Sequence, residues 1–194
     1  RGMARLPRPA GPLVWLHAAS VGEAMSIIAL TERLSRDYPG ANLLVTTGTV
    51  SSAALLAERL PAGAIHQYVP VDHPAYVDRF LRHWRPDLAL WVESELWPNL
   101  VTATAAAGIP MILVNARMSS RSYDRWRQWP SLAKALLGRF ALCLAQSATH
   151  AERLASLGAG HVVQAGNLKF SAAPLPADPI ALAALAGTIG GRPR

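Results

Sequence analysis

Short apolar, β-branched runs alternate with amphipathic stretches along most of this chain. The runs have the length of buried strands, and the stretches between them have the 3.6-residue period of helices. Strands that alternate with helices form βαβ units with right-handed crossovers, and such units build a parallel sheet covered on both faces. We therefore predict an α/β fold, a three-layer sandwich around a mostly parallel sheet. The predicted strands are 13–17, 42–46, 65–69, 87–92, 111–114, 140–144 and 162–165, and the predicted helices are 23–37, 52–60, 74–83, 99–107, 119–137 and 148–157.

The composition is that of a folded domain with an anionic partner. Of the 194 residues, 51% are hydrophobic and 16% are charged, which supplies a core and excludes a disordered chain. The formal net charge of +7 favours nucleic acid, a phosphorylated ligand or an acidic membrane as that partner. The single cysteine, Cys143, lies in an apolar run, which excludes a disulfide framework and predicts a buried structural thiol.

Several motifs that identify other enzyme classes are absent. No G-x-G-x-x-G follows the first predicted strand, and the chain contains no P-loop, no H-E-x-x-H and no G-x-S-x-G. Dinucleotide-binding proteins, P-loop nucleotidases, zinc proteases and serine hydrolases therefore lose their best support. We expect no metal and no cofactor.

The polar and unusual segments of the chain follow the predicted strands. Because ligands bind outside the carboxyl ends of the strands in an open α/β sheet, this placement predicts a site at that edge. The segments are 17–23, 46–49, 70–73, 93–99, 115–119 and 166–169.

The first two segments offer an acid and a cradle of small polar residues. Ser20 and Gly22 precede Glu23, which suits a general base if burial raises its pKa, although an acid in a first helical turn also suits the helix dipole. Gly22 lets the backbone approach a ligand closely. The run Thr47, Gly48 and Thr49 resembles a phosphate or hydroxyl cradle at a helix N-terminus, and the same residue types also make an ordinary N-cap.

Two further carboxylates, Glu93 and Glu95, follow the fourth predicted strand two positions apart. If the strand continued they would share a face and raise one another's pKa. We favour a turn here, with Glu93 left at the sheet edge and Glu95 capping the helix that begins near Pro98. Asn115, Arg117 and Ser119 follow the next strand and complete the polar edge.

A basic, aromatic stretch runs from residue 117 to residue 139. Arginines recur at 117, 121 and 125, followed by Arg127, Lys134 and Arg139, and Asp124 is the one acid among them. Trp126 and Trp129 are interleaved. This pattern is typical of a helix that meets anionic lipid or phosphate, and a solvated arginine face over an apolar stripe explains it equally well.

The chain resembles the transferases of 3-deoxy-D-manno-octulosonic acid (Kdo) in order and spacing of several segments. The resemblance extends over about residues 12–171, and the E-x-E-L-W-P-N run is its most diagnostic part. The matching segments are 17–23 (HAASVGE), 93–100 (ESELWPNL), 115–119 (NARMS) and 166–170 (GNLKF).

The resemblance implies a Rossmann-like acceptor-binding domain, the N-terminal half of a GT-B glycosyltransferase fold, in residues 12–171. Family members also have an N-terminal membrane anchor and a second, donor-binding domain. Residues 1–11 would then be a stub after the anchor, and 172–194, with a Pro-rich run at 172–179 and a short helix at 180–186, a linker toward the second domain. We expect the isolated chain to be folded and inactive.

The resemblance also implies the reaction. Kdo would pass from CMP-Kdo to the glucosamine 6′-hydroxyl of a lipid A disaccharide bisphosphate, in lipopolysaccharide biosynthesis at the cytoplasmic face of the inner membrane. Glu23 matches the catalytic base, and Glu93 and Lys169 match residues that stabilise the transition state. The alternative is a non-catalytic Rossmann-like module that binds anionic membrane or nucleic acid through the arginine-rich helix. The carboxylates Glu23, Glu93 and Glu95 would repel phosphates, so we expect no nucleic acid.

Overall fold

The computed structural model describes residues 2–171 and 178–189. Strands and helices alternate from one end of the described chain to the other, as predicted. The strands are β1 (Leu13–His17), β2 (Asn42–Thr47), β3 (Ile65–Tyr68), β4 (Leu88–Val92), β5 (Met111–Ala116), β6 (Leu142–Ala145) and β7 (Val162–Gln164). The helices are α1 (Val21–Asp37), α2 (Val50–Arg59), α3 (Pro74–Trp84), α4 (Pro98–Ala106), α5 (Ser120–Trp126), α6 (Pro130–Leu137), α7 (Ala148–Ser156) and α8 (Pro179–Ile189), with a 3-10 turn at Leu168–Ser171.

The strands form one 7-stranded sheet in the order β3-β2-β1-β4-β5-β6-β7, and the pairs between neighbours are parallel. The chain builds outward from β1 in one direction and then returns to place β4 on its other side. The crevice of such a sheet opens where the strand order reverses, between the carboxyl ends of β1 and β4. Glu23, in the first turn of α1, and Glu93 follow these two strands.

Helices cover the sheet on both faces and divide the core into two layers. The buried residues of α1 and α2, such as Ile27 and Leu56, pack on one face with Leu16 and Val45. The other face is covered by α3, α4, α6 and α7 and has an aromatic centre. There the Trp15 ring lies 4.8 Å from the Trp91 ring, edge to face. The predicted three-layer α/β sandwich is confirmed.

The single helix predicted over 119–137 is wrong. The structure has α5 and α6 in its place, separated by Arg127 to Trp129. The break falls at Pro130, whose ring occupies the first turn of α6 and whose missing N–H prevents a continuous hydrogen-bond ladder. The basic and aromatic residues of this stretch therefore do not share one helical face.

The structure tests only part of what the sequence predicts for the end of the chain. The predicted helix at 180–186 is present as α8, and the described side chains of α8 are exposed. The predicted Pro-rich linker at 172–179 lies mostly outside the described residues. Among the helices of the described residues, none combines the length and the apolar character that a membrane crossing needs. Cys143 is buried as predicted, and burial raises the pKa of its thiol to about 11.

Candidate active site

Glu23 lies at the start of α1 in a tight network with the loop that precedes it. Ser20 is the N-cap of α1, and its hydroxyl accepts a hydrogen bond from the Glu23 backbone N–H at 3.3 Å. In return the Glu23 carboxyl accepts the Ser20 hydroxyl and the Ala19 backbone N–H, each at 2.8 Å. This is a reciprocal capping arrangement, which fixes the rotamer of the acid. The sequence S-V-G-E thus begins the helix and also fixes the orientation of the Glu23 carboxyl.

The environment of Glu23 favours its protonated form. The residue is only 7% exposed, and burial raises the pKa of the carboxyl. The hydrogen bonds from Ser20 and Ala19 lower the pKa, and the neighbouring carboxyls of Glu95 and Glu93 raise it further. A carboxyl whose pKa is raised toward neutrality is the better proton acceptor when it is ionised. The condition on which the general-base prediction depended, burial of Glu23, is met.

Glu93 follows β4 in an unusual backbone conformation. Its φ is +59°, in the left-handed region that glutamate rarely adopts, while its N–H continues the sheet ladder to the Val114 carbonyl at 3.0 Å. The turn expected after β4 is therefore present. It directs the Glu93 carboxylate toward Lys169, whose Nζ lies 3.3 Å from Oε1.

Asn115 repeats this geometry at the end of β5, with a φ of +53° and only 2% of its surface exposed. Its Oδ1 accepts the Leu168 N–H at 3.1 Å, and its carbonyl accepts the Gln146 side-chain amide at 3.0 Å. Its Nδ2 is buried and has no hydrogen-bond partner among the described residues. Left-handed non-glycine residues on neighbouring strands mark a strained part of the structure, and such strain concentrates at functional sites.

The bond from Leu168 to Asn115 explains how Lys169 reaches the centre of the sheet. Strand β7 is at the far edge, yet the chain after it returns across the sheet and packs its 3-10 turn against α1. Asn115 holds the returning segment at Leu168, and the next residue is Lys169. The structure therefore brings Glu23, Glu93, Asn115 and Lys169 to the edge where β1, β4 and β5 end.

Most of the smaller polar candidates are placed at the same edge, where they have structural partners. Ser20, Thr49 and Ser119 are the N-caps of α1, α2 and α5. The Thr47 hydroxyl is buried and lies 2.9 Å from Nε2 of His66. These contacts account for the residue types without a ligand, so a ligand-binding role for them stays a prediction.

Glycines in this edge allow close approach of the loops. The Gly48 N–H donates to the Ala19 carbonyl at 3.2 Å, and a Cβ on Gly48 would lie 3.1 Å from the same oxygen. The loop after β2 is thereby joined to the loop that precedes α1 and Glu23. A Cβ on Gly22 would meet nothing within 4 Å, so the space beside it is open.

The prediction that Glu95 caps α4 is wrong. One oxygen of its carboxylate accepts the Trp97 indole N–H at 2.6 Å. The N-terminus of α4 is instead capped by Asp72, which comes from the loop after β3. Trp91 is fully buried in the core, whereas Trp97 is half-buried beside Glu95.

Arg117 is exposed at the end of β5, and its backbone N–H lies 3.5 Å from the Glu93 carbonyl. The next residue, Met118, is fixed by α7, because Nδ1 of His150 lies 3.0 Å from the Met118 carbonyl and Arg153 donates to the same oxygen at 2.9 Å.

Sequence reasoning missed Asp72, His150 and Arg153. Each acts on a segment far away along the chain, and no local pattern indicates such contacts. Among the described residues no group of three or more His, Cys, Asp or Glu side chains could hold a metal ion.

Comparison with known proteins decides the family. The family model for 3-deoxy-D-manno-octulosonic-acid transferase (kdotransferase) matches residues 1–172. The chain belongs to the Kdo transferase family. The 3-deoxy-D-manno-octulosonic acid transferase of Rickettsia felis is 36% identical over 180 residues, which are 93% of this chain and 39% of that protein. The transferase of Bordetella pertussis is 36% identical over 181 residues, 89% of this chain and 41% of that protein, and the one of Haemophilus influenzae is 33% identical over 157 residues, 81% and 36%.

The chain therefore spans about two fifths of the length of the Kdo transferases that it matches.

Solved structures of other proteins share the fold of this chain. A UDP-N-acetylglucosamine 2-epimerase superposes with a TM-score of 0.60 at 15% identity, over 88% of this chain and 54% of that one. The UDP-GlcNAc 2-epimerase of Neisseria meningitidis bound to UDP-GlcNAc gives 0.59 at 15% identity, over 81% and 47%. The predicted Rossmann-like fold is confirmed, and the family relationship favours a transferase over a non-catalytic module.

Proposed function

We propose that this chain is the acceptor-binding part of a glycosyltransferase that moves Kdo from CMP-Kdo to the 6′-hydroxyl of a lipid A disaccharide bisphosphate, with Glu23 as general base. The observation that carries the proposal is the position of Glu23. Its buried carboxyl has a raised pKa and lies at the strand-order reversal, beside the Glu93–Lys169 pair. Membership in the Kdo transferase family supports Kdo as the sugar that is transferred.

Proton transfer is the step that Glu23 would perform. A sugar hydroxyl is a poor nucleophile until its proton is removed. As the acceptor oxygen forms its bond to the anomeric carbon of Kdo, the Glu23 carboxylate takes the hydroxyl proton. The bond between that carbon and the CMP phosphate breaks, and its electron pair leaves with the phosphate. The bonds from Ser20 and Ala19 hold the carboxylate in place throughout.

Lys169 and Glu93 would balance charge during this step. Negative charge grows on the departing phosphate, and a fixed cation stabilises it most when no reorganisation is needed. Lys169 is held on one side by Glu93 and through its own backbone segment by Asn115. The exposed fraction of Lys169, 48%, leaves its ammonium group accessible from the crevice, whereas Glu93 is only 15% exposed.

The same edge suits a lipid acceptor. Val21, Val50 and Val71 follow or lie close to the ends of β1, β2 and β3, and their exposed fractions are 41%, 76% and 63%. Met25, one turn into α1, is 43% exposed. Apolar side chains grouped at a site edge favour a ligand with an apolar part. The phosphates of a disaccharide bisphosphate would meet Arg117, which is exposed directly after β5.

A membrane partner follows from the lipid acceptor. The enzyme would act at the cytoplasmic face of the bacterial inner membrane, where anionic lipids attract basic segments. Arg121, Arg125 and Arg127 are exposed, and Trp129 between α5 and α6 is 65% exposed. An exposed indole beside cations is suited to the interface between head groups and acyl chains. The donor CMP-Kdo would bind to a second domain outside residues 12–171, so this chain alone would turn over no donor.

A transfer assay tests the proposal. The purified full-length protein is incubated with CMP-Kdo and the detergent-dispersed disaccharide bisphosphate, and mass spectrometry follows the lipid. We expect the lipid to gain Kdo and CMP to be released in equal amount. The isolated 194-residue chain is the matched control and should produce neither. Release of CMP without a change in the lipid would contradict the proposed acceptor, and no reaction of CMP-Kdo would contradict the proposed donor.

A further inference from the structure

Helix α4 begins without a cap from its own sequence. Its N-cap position is Trp97, whose side chain makes no capping hydrogen bond. The first turn of a helix leaves backbone N–H groups without partners inside the helix, and a side-chain oxygen normally satisfies one or two of them. Pro98, which has no N–H, removes one such group. The N–H groups of Asn99 and Leu100 still require acceptors.

Asp72 supplies both acceptors from a different part of the chain. Its Oδ2 accepts the Asn99 N–H at 3.1 Å, and its Oδ1 accepts the Leu100 N–H at 2.7 Å. The Asn99 side-chain amide donates back to the Asp72 carbonyl at 2.9 Å and to Oδ2 at 3.3 Å. These bonds join the loop after β3 to the N-terminus of α4. They also place a carboxylate at the positive end of the helix dipole.

The anchored helix end is directly connected to the site. Residues 93–97, which we call the carboxylate loop, run from the end of β4 to the N-cap of α4. Glu93 begins the loop in a left-handed conformation, and Glu95 is joined to the Trp97 indole at 2.6 Å. The loop is fixed at its first residue by the sheet ladder. Its other end is fixed by the start of α4.

We infer that Asp72 is a positioning residue, which holds the start of α4 so that the carboxylate loop keeps Glu93 against Lys169. The inference rests on the proposed function for its effect on the reaction. Asp72 is not in the catalytic group and acts through the loop. A left-handed glutamate persists only where the surrounding structure fixes it, and Asp72 provides that restraint at the end of the loop remote from the sheet.

The consequence for the reaction is a loss of rate with little loss of acceptor binding. A displacement of catalytic groups by about 1 Å costs on the order of 100-fold in rate. In the full-length protein, Asp72→Ala should therefore lower kcat by roughly 10- to 100-fold and leave KM for the acceptor within about 3-fold. Asn99→Ala removes only the side-chain donor and keeps both capping bonds, so its effect should be smaller.

A double-mutant comparison separates positioning from a general loss of folding. In the Glu93→Gln background, Asp72→Ala should lower kcat by no more than about 3-fold, because the group that it positions is already removed. Asp78→Ala is the matched control, since this exposed aspartate on α3 is paired with the side chain of Arg82 and not with α4. An equal loss of kcat in both backgrounds, or an unchanged kcat for Asp72→Ala, would overturn the inference.

Hydrogen exchange tests the anchor without any assay of transfer. In this chain the amides of Asn99 and Leu100 should exchange at least about 10-fold faster in Asp72→Ala than in the wild type, and those of the carboxylate loop should follow. Asp78→Ala should leave them unchanged. Unchanged protection in Asp72→Ala would overturn the inference. If the wild type transferred no Kdo while the protection was lost as expected, the proposed function would fail and the anchoring role of Asp72 would stand.

Discussion

A buried histidine should make this protein sensitive to acid. His17 is the last residue of β1 and is completely buried, with its ring 6.0 Å from that of Trp91 and 6.4 Å from that of Trp15. Its Nδ1 lies 3.0 Å from the Thr46 hydroxyl, and its Nε2 has no partner among the described residues. Burial lowers the pKa of His17 from 6.5 to about 4, although the Thr46 backbone raises it slightly.

The size of the effect follows from this pKa. In the unfolded chain the histidine binds a proton near pH 6.5, whereas in the folded protein it does so only near pH 4. Between these values the unfolded state binds more protons, so the free energy of unfolding falls as the pH is lowered. A pKa change of this size corresponds to about 3 kcal/mol at pH 4 and below. That is a large part of the total stability of a domain, which is about 5–15 kcal/mol.

The perturbation that tests this account is His17→Leu, which removes the proton site and keeps an apolar side chain. Urea unfolding of this chain, followed by tryptophan fluorescence at pH 7 and pH 4, gives the free energy of unfolding. We expect the wild type to lose about 3 kcal/mol more than His17→Leu between the two pH values. Glu23 is present in both proteins, so its contribution cancels. The exposed His161→Gln variant is the control. An equal loss in wild type and His17→Leu, within about 0.5 kcal/mol, would refute the reasoning.

Three further outcomes are expected. Glu93→Gly should be about 1 kcal/mol more stable in urea unfolding than Glu93→Ala, because only glycine adopts a φ of +59° without strain; equal stabilities would contradict this. Reversal of Arg121, Arg125 and Arg127 to Glu should weaken the binding free energy for anionic vesicles, measured by sedimentation, by about 1 kcal/mol or more per residue, and most strongly at low salt. Unchanged binding would mean that these arginines only form a solvated face of the protein. Arg117→Ala in the full-length protein should raise KM for the detergent-dispersed acceptor about 10-fold or more, and an unchanged KM would remove Arg117 from the acceptor site.

The vesicle experiment has a control with the same change of charge. Arg36, Arg59 and Arg82 lie in the last turns of α1, α2 and α3, away from the carboxyl ends of the strands. Their reversal to Glu should lower vesicle binding less than the reversal on α5 and the residue after it. Equal losses would attribute the binding to net charge rather than to a surface.

Local pattern predicts the elements of the fold well because most of the strands contain a short apolar run, as β4 does. The first strand, 13–17, was placed correctly, and the others differ by one or two residues at their ends. The helix predicted at 119–137 is wrong because the amphipathic pattern runs through Pro130, which begins a separate helix. The strand order depends on pairing between strands that are far apart in sequence. No local sequence pattern indicates that β4 lies beside β1.

The site was predictable to the extent that its chemistry is local. Ser20 and Glu23 are three positions apart at the start of α1, and the capping pattern indicates their arrangement. The approach of Lys169 to Glu93 joins positions 76 residues apart, and only the resemblance to a family suggested it. Glu95 was assigned the cap of α4 because it is near in sequence. Asp72, 27 residues before Asn99, takes that position because the loops meet in space.

The proposed reaction depends most directly on Glu23 as the acceptor of the hydroxyl proton. Glu23→Gln in the full-length protein keeps the shape of the side chain and removes its ability to take a proton. Its matched control is Glu32→Gln, an exposed position on the same helix. We expect Glu23→Gln to lower kcat for Kdo transfer by about 10²–10⁴-fold with acceptor binding retained, whereas Glu32→Gln should transfer at the wild-type rate. A Glu23→Gln protein that kept more than about a tenth of the wild-type kcat would contradict it.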